Sequence, residues 1–161
     1  MIKCIFLCGI IGYIGEENAA PILLNGLKRM EYRGYDSAGM ATLTDVGIIL
    51  LKDEGKISEI DKKMNFLDME GTIGIAHTRW ATHGGVSREN AHPHVSCGFE
   101  VAVNHNGIIE NHHQLREKLK GEGHEFNSDT DSEIIAHLLE KYYNESGTVK
   151  KALLTAVQDL K

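Results

Sequence analysis

At 161 residues, 42% of them apolar and 25% charged, the chain has the length of one domain and enough apolar material for a real core. A formal net charge of −6 and the lack of a clustered basic face argue against a nucleic-acid or anionic-membrane partner, and no stretch is long enough to span a bilayer. Three cysteines, Cys4, Cys8 and Cys97, are too few and too irregularly spaced for a disulfide framework, which points to the reducing cytoplasm.

Residues 4–14 read as a buried strand anchored by Ile10, Ile11 and Ile14, with Cys8 beside Gly9. From about Glu17 to Met30, Ala20, Leu23, Leu24, Leu27 and Met30 recur at helical spacing, with Pro21 in the tolerant first turn and Lys28-Arg29 at the end the helix dipole prefers. A polar loop, Glu31–Gly39, follows. Met40–Leu43 and Gly47–Leu51 then predict a hairpin turning at Thr44-Asp45-Val46, and residues 55–67 a surface helix.

Thr72–His77 reads as a strand delivering the chain into a dense polar segment, His77–Gly85, which continues to Asn90-Ala91-His92-Pro93-His94. A further strand, Phe99–Val103, leads into Asn104–Asn111. Asn111 and Gln114 have capping-box spacing for a helix to about Lys120, and Thr130 and Glu133 the same spacing for an amphipathic helix over Ser132–Tyr143. A last helix runs from about Thr148 almost to the final residue. Strands fill the first two thirds and helices stand at both ends, which predicts an α+β fold. The final helix still offers an apolar stripe at Lys161, so the chain is expected to be a fragment whose remaining strands are missing.

Cys8 reads as a nucleophile, because a thiol this near the N-terminus can use its own α-amino group as base once the preceding residues are absent. That amine has a reference pKa of roughly 8, near working pH. The competing reading is a buried core cysteine. Lys3 followed by Cys4–Cys8 superficially resembles a leader, but Gly9 and Gly12 break the apolar run and Leu7 is too large for a processing site.

Asn106 and Gly107 suit an oxyanion hole, since a carboxamide and an unobstructed N–H can donate into one pocket; the alternative is a plain Asn-Gly turn. Arg79 could hold a carboxylate in bidentate fashion, and Asp131, where loop becomes helix, could receive an ammonium group or help cap the helix. The nine histidines raise a metal hypothesis, centred on His92 and His94 with His77, His83 and His105 nearby in sequence. No His-Glu-x-x-His or Cys-x-x-Cys spacing accompanies them, so the expectation is no metal or cofactor, with these histidines hydrogen-bonding loop backbone.

In order, Cys8-Gly9-Ile10-Ile11-Gly12, Glu31-Tyr32-Arg33-Gly34-Tyr35-Asp36-Ser37-Ala38-Gly39, His77-Thr78-Arg79-Trp80-Ala81-Thr82-His83-Gly84, Asn90–His94, Asn104–Asn111 and Ser128–Asp131 resemble the glutaminase domain of the N-terminal-nucleophile glutamine amidotransferases. The Tyr32–Gly39 form is similar to that of the glutamine–fructose-6-phosphate aminotransferases, the glucosamine-6-phosphate synthases. The resemblance covers the chain from Cys8 onward and implies a four-layer αββα sandwich. It implies that Cys8 attacks the side-chain amide of L-glutamine to form a thioester and release ammonia, with Asn106 and Gly107 stabilising the oxyanion. It further implies that Arg79 binds the α-carboxylate and Asp131 the α-ammonium, that Trp80, Thr82 and His83 form a loop closing over the substrate, and that Arg33 couples the pocket to the synthase half. A sugar-phosphate isomerase domain is the implied partner, in a homodimer when full length.

Two departures from the family pattern stand out. Residues 1–7 precede the nucleophile, so the chain is expected either to lose a propeptide or to start elsewhere, Leu7 being a candidate if its codon is TTG. The isomerase half is expected to be absent. A catalytically silent, glutamine-binding fragment is therefore the alternative expectation.

Overall fold

Alternation of residues across a pleat explains the first strand. In the computed structural model, which describes residues 8–31, 35–80 and 85–161, β1 (Gly9–Ile14) turns Ile11 and Tyr13 towards a core, whereas Ile10 and Ile14 on the other face remain 47% and 77% exposed. The chain divides at Pro93/His94 into two compact units.

The first unit is a four-stranded antiparallel sheet with helices on it. After β1 come α1 (Ala19–Met30), β2 (Ser37–Thr44), β3 (Gly47–Glu54), α2 (Ile57–Met64), a single 3-10 turn at Phe66–Asp68, and β4 (Ile73–Arg79). The strand order is β1-β4-β2-β3. Leu23, Leu24 and Leu27 of α1 meet Ala38 and Met40 of β2, Ala76 of β4, and Ile57, Ile60, Phe66 and Met69 in one core. Helix α1 starts later than its periodicity suggests because the Asn18 side chain accepts the Ala20 N–H, a cap that ends the preceding loop. The hairpin turns where the sequence predicts, and its ladder runs on to Ser37 opposite Glu54. The helix expected over 55–67 stops at Met64, because Asn65 adopts a left-handed conformation (φ 52°); the 3-10 turn then buries Phe66 completely.

The second unit holds β5 (His94–Val95) paired antiparallel with β6 (Ala102–Val103), then α3 (His112–Gly121), α4 (Glu133–Ser146) and α5 (Val149–Asp159). Ile109, Leu115, Leu119, Ile134, Leu138 and Ala156 form its core. The expected strand from Phe99 is shorter, since the Phe99 N–H returns to the Ser96 carbonyl with φ 56° and the Val101 N–H donates to Ser96 Oγ, making residues 96–101 a turn.

Neither expected capping box forms. Asn111 instead accepts the Lys161 N–H (3.0 Å) and donates to the Asp159 carbonyl (2.7 Å), tying the start of α3 to the end of α5. Glu133 reaches back to the Asn127 and Ser128 amides, both at 2.8 Å. Helix α5 carries the apolar stripe read from the sequence, with Val149, Leu153, Leu154 and Val157 exposed. The fold class is α+β.

Candidate active site

In the first unit, register determines which side chains share a face. Ile10 stands opposite His77, and His77 opposite Gly39, so these positions project from the side of the sheet away from α1. Arg79 lies two residues beyond His77, and Cys8 two residues before Ile10, on that same side. The Trp80 N–H donates to Cys8 Sγ at 3.2 Å, and the thiol lies 3.7 Å from the Trp80 carbonyl, so the residue after β4 holds the sulfur in place.

Next to it the Gly9 N–H donates to Thr78 Oγ1 (3.1 Å), a contact the sequence reading missed although Thr78 sits in the quoted motif. A Cβ at position 9 would stand 2.5 Å from Met30 Sδ and 2.7 Å from Thr78 Oγ1, so glycine here lets the strand pack closely against α1 and β4.

Arg79 is 5% exposed, and its guanidinium donates to the Gly85 carbonyl (3.2 Å), which also accepts from Asn90 Nδ2 (3.0 Å). Asn90 thereby joins the Asn90–His94 motif to the arginine. The same segment passes over β2 so closely that a Cβ at Gly39 would lie 2.3 Å from the His92 carbonyl oxygen. Lys52 Nζ fastens it by donating to the Glu89 and Ala91 carbonyls (3.0 and 2.6 Å). Trp80 is 37% exposed. Arg33, Thr82 and His83 lie outside the described residues.

In the second unit, Asn106 and Gly107 are exposed in the loop after β6. Asp131 Oδ2 accepts the Ile109 N–H at 2.7 Å, and Ser132 Oγ lies 3.0 Å from His105 Nδ1. The loop bearing Asn106 and Gly107 is thus tied at both ends to the residues that open α4, so Asp131 has a structural duty that sequence spacing alone did not reveal. The loop 127–130 is held in turn by Arg116, whose guanidinium donates to the Ser128 and Thr130 carbonyls (2.8 and 2.6 Å). Burial by itself would raise the Glu133 pKa. His137, 3.7 Å away, and donors from Asn127 and Ser128 outweigh it and bring the carboxyl down to about 2, so the group stays ionised.

Four of the histidines raised as metal candidates, His77, His92, His94 and His105, lie among the described residues and have partners there. His77 stacks on His92 (ring centroids 4.4 Å apart), His94 Nε2 lies 2.8 Å from Thr130 Oγ1, and His105 faces Ser132. Their partners include rings and hydroxyls.

The profile of the glutamine amidotransferase domain family matches residues 59–152, more than half of the chain. Among curated proteins, the glutamine–fructose-6-phosphate aminotransferase of Methanococcus maripaludis is 53% identical over 154 residues, covering 95% of this chain and 26% of that protein. The enzyme of the same name from Pyrococcus horikoshii is 53% identical over 146 residues, covering 91% and 24%. The chain therefore spans about a quarter of the length of the curated relatives it matches. Among solved structures, glutamine phosphoribosylpyrophosphate amidotransferase from B. subtilis, complexed with ADP and GMP, superposes with a TM-score of 0.77 at 29% identity, covering 94% of this chain and 33% of that one. The fold is therefore that of the N-terminal-nucleophile amidotransferases, and the chain belongs to the glutamine amidotransferase domain family.

Proposed function

We propose that this chain is the glutamine-hydrolysing part of an enzyme that makes glucosamine-6-phosphate from fructose-6-phosphate and glutamine. In this reading Cys8 Sγ attacks the side-chain amide carbon of L-glutamine while the α-amino group of an N-terminal Cys8 accepts the thiol proton and passes it to the departing amine. Ammonia leaves, a γ-glutamyl thioester remains, and water cleaves it to glutamate. The Asn106 carboxamide and the Gly107 N–H stabilise the oxyanion. Arg79 pairs with the substrate α-carboxylate and Asp131 with its α-ammonium, while Trp80, Thr82 and His83 close over the substrate and Arg33 couples the site to the synthase. The synthase is a sugar-phosphate isomerase domain, and the full-length enzyme is a cytoplasmic homodimer. Among the described residues no helix is long and apolar enough to cross a membrane.

The observation that carries this reading is the Trp80 N–H aimed at Cys8 Sγ, beside Arg79, in a chain of this family. The experiment compares the chain as written with one whose start is moved to position 7, so that methionine removal frees Cys8. Ammonia release and labelling by a γ-diazoketone analogue of glutamine are measured in both. The freed chain is expected to be labelled at Cys8 and to turn over, with Cys8→Ala losing both by about 1,000-fold or more. A folded, freed chain that binds glutamine yet neither labels nor releases ammonia overturns the assignment in favour of a silent glutamine-binding domain.

A further inference from the structure

Away from every residue assigned to glutamine binding or hydrolysis, four potential metal ligands from three segments of the second unit converge. Cys97 lies in the turn between β5 and β6, His124 in the loop after α3, and His137 and Glu140 one helical turn apart on α4. Their ligand atoms all lie within 4.8 Å of one another, and among the described residues no other set of three or more such groups gathers in this way.

The individual spacings are diagnostic. Ligands held at zinc–sulfur and zinc–nitrogen lengths of about 2.3 and about 2.0 Å, at tetrahedral angles, stand about 3.5 Å from each other. Cys97 Sγ is 3.5 Å from His137 Nδ1 and 3.7 Å from His124 Nδ1, and His124 Nδ1 is 3.5 Å from Glu140 Oε2. Three of the six ligand–ligand spacings thus match the edge of such a tetrahedron, and the other three lie within 4.8 Å. The His124–Glu140 spacing is long for a nitrogen–oxygen hydrogen bond, whereas the two sulfur spacings are also those of ordinary thiol–imidazole contacts.

The surroundings also suit a cation. The second Glu140 oxygen accepts the Gly98 N–H at 2.9 Å, leaving Oε2 for the centre. The Glu125 N–H donates to Cys97 Sγ at 3.3 Å, as backbone amides do to bound thiolates. His137 is fully buried, and its other nitrogen lies 3.7 Å from the Glu133 carboxylate, beyond hydrogen-bond length but on the side from which a carboxylate can orient a ligating imidazole. Glu133 and Glu140 are 2% and 6% exposed, so two carboxylates are buried beside one thiol, and a divalent ion would offset their charge. Cys97 is exposed, which leaves an entry path.

We propose that Cys97, His124, His137 and Glu140 form a structural site for a divalent cation of the zinc class, tying the β5–β6 turn and the α3–α4 loop to α4. A thiolate and two imidazoles select zinc over magnesium or calcium, and four protein ligands leave no open position for catalysis. Paired ligand spacings are absent from this set, and its local signature in the sequence is the His-x-x-Glu of His137 and Glu140 on one helix face, so only the fold brings the ligands together.

The test uses the whole chain, stripped with a chelator and dialysed, and its readouts are independent of glutamine turnover. Added zinc should bind at one equivalent. Cobalt(II) in its place should give intense tetrahedral ligand-field bands and a thiolate-to-cobalt charge-transfer band. Cys97→Ser should abolish the charge-transfer band, whereas Cys8→Ser should keep the whole spectrum. His124→Gln, on a partly exposed residue and so tolerated by the fold, should weaken zinc binding at least about 100-fold. Failure to retain stoichiometric zinc, or a cobalt spectrum unchanged by Cys97→Ser in protein shown to be folded by circular dichroism, overturns the proposal.

Discussion

The two units position their polar side chains by different physical means. In the first, a continuous antiparallel ladder does the work: β1 and β2 flank β4, and the pleat alone sends His77 and Arg79 to the face opposite the leucines of α1. In the second, the regular sheet is only two residues per strand, and side chains bond to backbone instead. Glu133 gathers the 127–128 amides, Arg116 the 128 and 130 carbonyls, and Asp131 the Ile109 amide. A ladder spreads its support over many bonds, whereas a polar hub concentrates it on one group. Mutations should therefore act through the apolar core in the first unit and through single charged residues in the second.

The largest stability effect is expected from truncating the core. Leu23 is fully buried between α1 and the sheet, and Leu23→Ala should cost about 3 kcal/mol in denaturant unfolding. A loss below about 1 kcal/mol would mean the core of the first unit collapses around the cavity and is less decisive than the comparison holds. Next comes Glu133→Gln, which removes charged acceptors from the Asn127 and Ser128 amides and should cost about 2 kcal/mol. If this polar change proved neutral, the second unit would be held by its hydrophobic cluster after all.

The smallest effect sharpens the contrast with a charge in the first unit. Asp53 accepts from Lys63 and from the Glu54 N–H, and the Lys63 bond is the chief cause of a carboxyl pKa below its usual 3.8. A depressed folded-state pKa stabilises above the unfolded value and is lost as pH falls through the folded one. Lys63 is 70% exposed, so solvent screens the pair and Asp53→Asn should cost about 1 kcal/mol or less at pH 7. The gap between the two melting curves should close as pH drops below 3.8. A gap that persists there would assign the effect to packing.

Much of this was legible in the residues. The hairpin at Thr44–Val46, the helical stripe through Leu23 and Leu27, and the ordered motifs that led to the family are local patterns, and local patterns survive in a sequence. What failed to read out was competition for side chains. Asn111 and Glu133 have the spacing of capping residues, but Asn111 is claimed by Asp159 and Lys161, and Glu133 by a loop five and six residues upstream. The strand expected over 99–103 was cut back to Ala102–Val103 by a turn made by Ser96.

The chain's own order of residues determined its α+β class, its family and the segments that bear the candidate chemistry, because these depend on periodicity and on motifs that lie within a few residues of each other. Tertiary structure alone decided that Trp80 presents its N–H to Cys8, that Asn90 and Arg79 meet at Gly85, and that Cys97 closes on His124, His137 and Glu140. Those pairings span up to 72 residues, and only the folded backbone brings such distant groups within bonding distance.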